Sequence, residues 1–225
     1  MRYLISAIGF ILCIIGIYYL ELWVVNRSEE NRIKLSLETI ESSHRYTIND
    51  PDIAITLSDS LREISGLSYD PVSGQLLAIE DEHGLIYTVD KLTGKINNTR
   101  EFAKDGDYEG IIYANKNIYI LESNGHIFEY ETDGKVKKYK TGLKKSFDFE
   151  GLTYLPDCNR LMLASKSSGP KTKSHLRKLF TFDLTQHTLD EEPPIILDCK
   201  DVGKELYKGK RGPTFSPSAI TRDIN

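Results

Sequence analysis

The sequence predicts an all-β protein: a partial β-propeller of four-stranded antiparallel blades, three blades plus the start of a fourth, preceded by one N-terminal transmembrane helix. Three observations predict it. A short phrase recurs as Glu63-Ile64-Ser65-Gly66-Leu67, Asp107-Tyr108-Glu109-Gly110-Ile111 and Asp148-Phe149-Glu150-Gly151-Leu152, with its glycines 44 and then 41 residues apart. A period of about 40 residues in a β-rich chain marks a propeller blade. Each phrase opens the same succession of short apolar runs separated by Gly, Asn, Asp and Pro turns. Finally, residues 3–20 carry no charge.

That uncharged run sets the first element. Leu22 to Val25 extends it past Glu21. Some 20 apolar residues, each rising ~1.5 Å, cover the ~30 Å hydrocarbon core of a bilayer. Tyr18, Tyr19 and Trp23 suit an interfacial aromatic belt at one end. No small-x-small cleavage signature follows, and Cys13 is preceded by Phe10-Ile11-Leu12 rather than by the small residues of a lipoprotein signal. Residues 1–25 are therefore expected to be an uncleaved anchor, spanning the membrane through residues 3–25. Residues 26–44, polar with Ile33, Leu35, Leu37 and Ile40 interspersed, read as a stalk, and residues 45–225 as the propeller domain. Arg27, Arg32 and Lys34 outnumber Arg2, a count that alone would keep the body in the cytoplasm. The very short N-terminal tail and the propeller body favour export. The expected location is the cell inner membrane, single-pass, with the propeller in the periplasm.

The β elements come next in the chain. Residues 46–48 and 53–57 read as strands around Asn49-Asp50-Pro51-Asp52. The first blade has strands at 64–69, 75–80 and 85–90, then a fourth ending near Phe102. Its turns are Asp70-Pro71-Val72-Ser73-Gly74 and Lys91-Leu92-Thr93-Gly94-Lys95. The second blade has strands at 110–113, 118–122, 126–130 and 135–139. The third has 151–155, 160–164, 179–183 and 194–198, with a basic loop at 166–178. The innermost strand of each blade lines the channel, where glycine permits close backbone approach. The second strand is apolar along its length, as a strand covered on both faces must be. A fourth unit begins at Phe215-Ser216-Pro217-Ser218-Ala219-Ile220. Propellers typically close with four to eight blades, so the expectation is a truncated chain, or one closed by another chain.

Composition bounds the function. Apolar residues make up 40% and charged residues 28%, as in globular proteins. The net charge of −4 lies entirely on residues 26–225, because Arg2 and Glu21 cancel. A mildly acidic body argues against nucleic acid as a partner, since binding phosphates needs clustered Lys and Arg. Of three cysteines, Cys13 lies in the anchor, while Cys158 and Cys199 fall at opposite ends of one blade, so both are expected as free thiols.

The chemistry-bearing residues are carboxylates at the channel mouth. The innermost strand starts at one rim and the loop after the second strand returns to it. Asp107, Glu109, Asp148 and Glu150 are the candidate ligands of a hard cation such as Ca²⁺, which takes 6–8 oxygens. Glu63, Glu80, Asp81, Glu82 and Glu122 share that rim, as ligand-binding candidates for a small molecule or protein. Tyr108 and Phe149 are candidates for the pocket floor, and Lys166 for a counter-charge. The competing reading is that the acids cap backbone N–H groups or face solvent. No G-x-S-x-G elbow, H-E-x-x-H or glycine-rich phosphate loop is present, and Ser65 and Ser68 read as structural. His83 and His126 both fall in rim loops and read as surface residues.

Several of these phrases resemble a known family. Residues 61–68 (LREISGLS), Glu80-Asp81-Glu82-His83-Gly84, Gly106-Asp107-Tyr108-Glu109-Gly110, Phe149-Glu150-Gly151-Leu152 and Pro217-Ser218-Ala219-Ile220 are similar in order and spacing to the SdiA-regulated domain family (YjiK-like). The resemblance covers about residues 45–220. It implies a membrane-anchored or exported β-propeller, related to NHL-type binding modules and to phytase- or esterase-like hydrolases. The functional expectation is an envelope-exposed, cation-dependent binding or interaction module. The alternatives are a metal-dependent propeller hydrolase, in which the D-x-E carboxylates bind metal and activate water, and a non-functional gene fragment.

Overall fold

Three antiparallel sheets succeed one another along the chain, each built from hairpins whose turns are written in the sequence. The computed structural model describes residues 51, 53–170, 173–206 and 216–222. The anchor, the stalk and the strand expected at 46–48 lie outside the described residues. Contacts divide the chain into Met1–Ala54 and Ile55–Asn225, and all three sheets belong to the second unit. Among the described residues, no helix is long and apolar enough to cross a membrane.

The first sheet runs β1 (Ile64–Asp70), β2 (Gln75–Glu80), β3 (Leu85–Val89) and β4 (Ile96–Glu101) in that order. The second repeats it with β5 (Tyr108–Ala114), β6 (Asn117–Glu122), β7 (Ile127–Tyr130) and β8 (Val136–Tyr139). The third has β9 (Phe149–Leu155), β10 (Arg160–Ser165) and β11 (Leu176–Asp183). Its outermost position is shared by β12 (Thr188–Leu189) and β13 (Ile195–Asp198), which pair with the two ends of β11. Helix α1 (Cys199–Leu206) comes directly after β13.

Turn chemistry fixes the hairpins. The Asp70 carboxylate accepts from Val72 N at 2.9 Å and Ser73 Oγ at 2.6 Å, and Gly74 closes the turn at φ +71°. Asp90 does the same with Leu92 N, Thr93 N and Thr93 Oγ1 ahead of Gly94 at φ +70°. Short polar side chains hold such turns by mimicking backbone acceptors.

Stacking arises from the second strands, which are buried along most of their length. Leu77 and Ile79 of β2 pack with Ile111, Ile118, Ile120 and Phe128 of the second blade. Leu121 and Ile127 pack in turn with Leu152, Leu161, Leu163 and Phe182 of the third. The outer face of the first blade, Ala78, Tyr87 and Val89, is closed by Leu61 from a 3₁₀ turn at Asp59–Leu61.

The phrase glycines set the spacing at the centre. A Cβ on Gly66 would stand 3.0 Å from Ile111 N, and one on Gly110 2.7 Å from Leu152 Cβ. One on Gly151 would stand 3.0 Å from Ile220 Cγ2, so residues 216–222 lie beside β9 as a fourth innermost segment. Each glycine thus receives the residue that comes after the next phrase's glycine position. Leu67, which succeeds the first glycine, is 57% exposed.

Four features differ from expectation. Residues 53–57 form no strand; Ile55 and Leu57 lie instead against the turn at Gly94. The strands β5 and β9 begin ahead of their glycines, at Tyr108 and Phe149. The outer strand of the third blade is split, because residues between β12 and β13 leave the sheet edge. Helix α1 occupies a stretch to which the sequence assigns no element; Asp198 Oδ1 accepts from Lys200 N at 2.9 Å at its start. Cys158 is exposed and Cys199 buried, and both are free thiols.

Candidate functional site

In every blade the innermost pair of strands breaks register at one residue. Ile64 faces Glu80 and Gly66 faces Ile79, leaving Ser65 unopposed. Tyr108 faces Glu122 and Gly110 faces Leu121, leaving Glu109. Phe149 faces Ser165 and Gly151 faces Ala164, leaving Glu150. Such a bulge re-aims the extra side chain. Ser65, Glu109 and Glu150 all line one cavity of about 530 Å³, joined by Ser218, which precedes Ala219 as the others precede their glycines. Four successive innermost segments therefore contribute the same phrase position: hydroxyl, carboxylate, carboxylate, hydroxyl. Glu63, Asp81 and Lys166 complete the polar lining.

The cavity holds more acid than base. Burial, reinforced by the charges of Glu150, Asp107 and Asp81, pushes the Glu109 carboxyl up to about 7. Glu150 has a counter-charge, for the Lys166 ammonium is hydrogen-bonded to its Oε1. That bond holds the Lys166 ammonium above the usual lysine range. Asp81 Oδ1 is shut off from solvent and accepts no hydrogen bond from the described residues. Ser65 Oγ donates to Tyr108 O at 2.6 Å, tying the first blade's bulge to the second blade.

The remaining expected site residues lie elsewhere. Asp107 adjoins Glu109 and helps to raise its carboxyl but does not itself line the cavity; it accepts from Ser123 Oγ at 2.5 Å and stands 3.8 Å from Lys145 Nζ. Asp148 takes a left-handed backbone at φ 54°, and its carbonyl accepts from Lys166 N at 2.8 Å. The four expected cation ligands therefore do not form one set; only Glu109 and Glu150 face the cavity. Among the described residues, no three His, Cys, Asp or Glu side chains stand where they could hold a metal ion together. The oxygen donors are those a hard cation takes, but their arrangement does not fit a pre-formed metal centre.

Tyr108 and Phe149 do not form the pocket floor. Each precedes a bulge residue and points the other way, into the core between blades. Tyr108 is 2% exposed, packs edge-on against Phe102 and Phe128, and donates to Lys104 O at 2.7 Å. Burial pushes its phenol up to about 12. Phe149, fully buried, packs with Phe147 and Phe180. Glu80 is buried and accepts from Glu82 N at 3.2 Å and His83 N at 2.5 Å, and His83 Nδ1 stands 3.2 Å from its Oε1. It lines a second groove of about 630 Å³ with Glu63 and Glu82. Glu122 is held by Lys138 Nζ at 2.7 Å and His126 Nδ1 at 3.2 Å. His83 and His126 thus each engage the glutamate of their own blade. Arg177, from the start of β11, is buried and donates to Ser174 O and Leu176 O.

Ser65 and Ser218 are the site residues that sequence reading missed. Superposing the phrases on their glycine position places both opposite Glu109 and Glu150, a signal already present in the sequence.

A family model described as SdiA-regulated matches residues 38–190, which include all three phrases. The chain belongs to the SdiA-regulated family. No curated protein matches its sequence. Among solved structures, this SdiA-regulated chain is similar to Myxococcus xanthus glutaminyl cyclase, at 14% identity and TM-score 0.49 over 72% of this chain and 63% of that one. It is similar to virginiamycin B lyase from Staphylococcus aureus, at 14% identity and TM-score 0.48 over 68% and 49%. A streptogramin B lyase structure aligns at 15% identity and TM-score 0.47 over 73% and 46%. The chain therefore spans about half to two thirds of the length of these propeller-like folds.

Proposed function

We propose that this SdiA-regulated chain is a membrane-anchored, envelope-exposed propeller binding module whose ligand enters the rim cavity positive charge foremost. The uncharged run within residues 3–25 supports the anchor. The observation that carries the binding reading is the pair Glu109 and Glu150, aimed by equivalent bulges into one cavity that, among the described residues, has the one ammonium of Lys166, held on Glu150. Burial and the neighbouring carboxylates push the Glu109 carboxyl up to about 7, so ionising it near neutral pH carries a penalty. A cation supplied by the ligand removes that penalty. Ca²⁺ and an organic ammonium group share this chemistry, and Ca²⁺ would need the acidic side chains to close around it. Thermal melting at pH 8 with millimolar Ca²⁺, then excess chelator, and separately with 1,4-diaminobutane tests the reading. A cation that binds the native state raises the melting temperature; no shift with either sinks it.

One observation favours a second reading. A carboxyl titrating near 7 suits a general acid or base, so Glu109 supports a hydrolase of the phytase- or esterase-like kind. Phosphatase and esterase assays with Ca²⁺, on the unaltered chain and on Glu109→Gln, separate the two. Turnover abolished by the substitution would place the hydrolase first.

A further inference from the structure

We propose that Lys166 is a tethered competitor for the rim cavity, its ammonium holding the place on Glu150 that a positively charged ligand takes. This rests on the reading of the cavity as a cation site and adds its regulation. Lys166 comes directly after β10. Its N–H donates to Asp148 O at 2.8 Å, and Ser167 N donates to Phe147 O at 2.9 Å. The start of the β10–β11 loop is thereby stitched to the third phrase, which delivers the side chain over Glu150. Ser123 occupies the equivalent place in the second blade, where its N–H donates to Asp107 O at 2.8 Å. Its hydroxyl satisfies its own blade's aspartate and reaches no cavity glutamate. The lysine is thus an addition of the third blade rather than a requirement of the stitch.

The two partners differ in their access to water. The Lys166 side chain is 43% exposed and that of Glu150 only 12%. The ammonium can swing out and be hydrated, whereas the largely buried carboxylate it leaves stays fixed in the cavity wall and gains from another cation. Asp81 also lines the cavity and brings a second carboxylate to the incoming charge. Binding must then displace Lys166 first, and apparent affinity falls by the fraction of molecules in which the lysine has left.

Calorimetric titration of the full chain at pH 8 with Ca²⁺, and separately with 1,4-diaminobutane, tests this. Lys166→Met is expected to bind at least one of the two about tenfold more tightly than the unaltered chain, on the scale of a half-exposed ion pair. Lys166→Arg should bind like the unaltered chain, and Lys166→Met/Glu150→Gln should lose the gain. Lys166→Gln, uncharged and still polar, replaces Lys166→Met if the latter fails to give a native circular dichroism spectrum. Equal or weaker binding by the uncharged variants overturns the competition while leaving the cation site standing. No saturable binding of either cation by any of these proteins overturns the site itself, and the competition with it.

Discussion

Glu109 and Glu150 hold the same place in successive blades, each the unopposed residue of a bulge ahead of a phrase glycine, and the charge of Glu150 acts on Glu109 across the cavity. Their fates differ because Lys166 neutralises one of them. Glu150 keeps an ammonium, while Glu109 retains its proton to about pH 7.

That retention gives stability a pH dependence. The folded Glu109 carboxyl titrates at about 7, against 4.5 as its ordinary value. Between those values the folded chain binds a proton that the unfolded chain has released, so this contribution is complete below pH 4.5 and is lost as pH rises to 7. Allowing for solvent screening, the loss is about 2 kcal/mol. Glu109→Gln should therefore raise the urea midpoint at pH 8 and leave it nearly unchanged at pH 4.5. An equal effect at both would show that Glu109 is not protonated in the folded chain.

Glu129 should behave in the opposite sense. Burial alone would raise its carboxyl, but hydrogen bonds from the Tyr139 and Tyr119 hydroxyls and the Asn117 amide hold it below the usual range. Its contribution is present above the ordinary carboxylate value and is lost as pH falls through the folded one. Glu129→Gln is expected to lower the melting temperature at pH 7 and to flatten its fall towards acid. Tyr139→Phe removes one bond and should cost about 1–2 kcal/mol at pH 7.

The glycine interlock predicts a contrast between two alanine substitutions. Gly110→Ala places a Cβ 2.7 Å from Leu152 Cβ, so the innermost strands must part. It should cost about 1–3 kcal/mol by overpacking. Gly203→Ala, in α1 with no atom of the described residues within 4 Å of its Cβ position, should be neutral or gain up to about 1 kcal/mol. Urea denaturation of the two variants beside the unaltered chain reads both.

The blades are legible in the sequence because their signal is local and repeated: a phrase every 40-odd residues, Asp-led turns such as those at Asp70 and Asp90, and second strands apolar throughout. The direction in which the phrase residues point is not. Period-two alternation cannot show an extra residue, yet the bulge at Glu109 sends it to the cavity and Tyr108 to the core, reversing the floor expected of Tyr108 and Phe149. Likewise, Asp107 stands beside Glu109 in sequence as an expected ligand, but Ser123 Oγ engages its carboxylate from the adjacent loop. Such a partnership depends on how a loop returns to the rim. Ser65 and Ser218 escape a search for acids because they are hydroxyls, although their place before the glycine position can be counted from the sequence alone.

Calorimetric titration of Ca²⁺ and of 1,4-diaminobutane into the full chain and into Glu109→Gln/Glu150→Gln at pH 8 decides whether the bulge residues form a cation site. Saturable binding of at least one cation by the unaltered chain, reduced at least about tenfold in the double variant, is the predicted result. Binding that the double variant retains in full, or no binding at all, would contradict it.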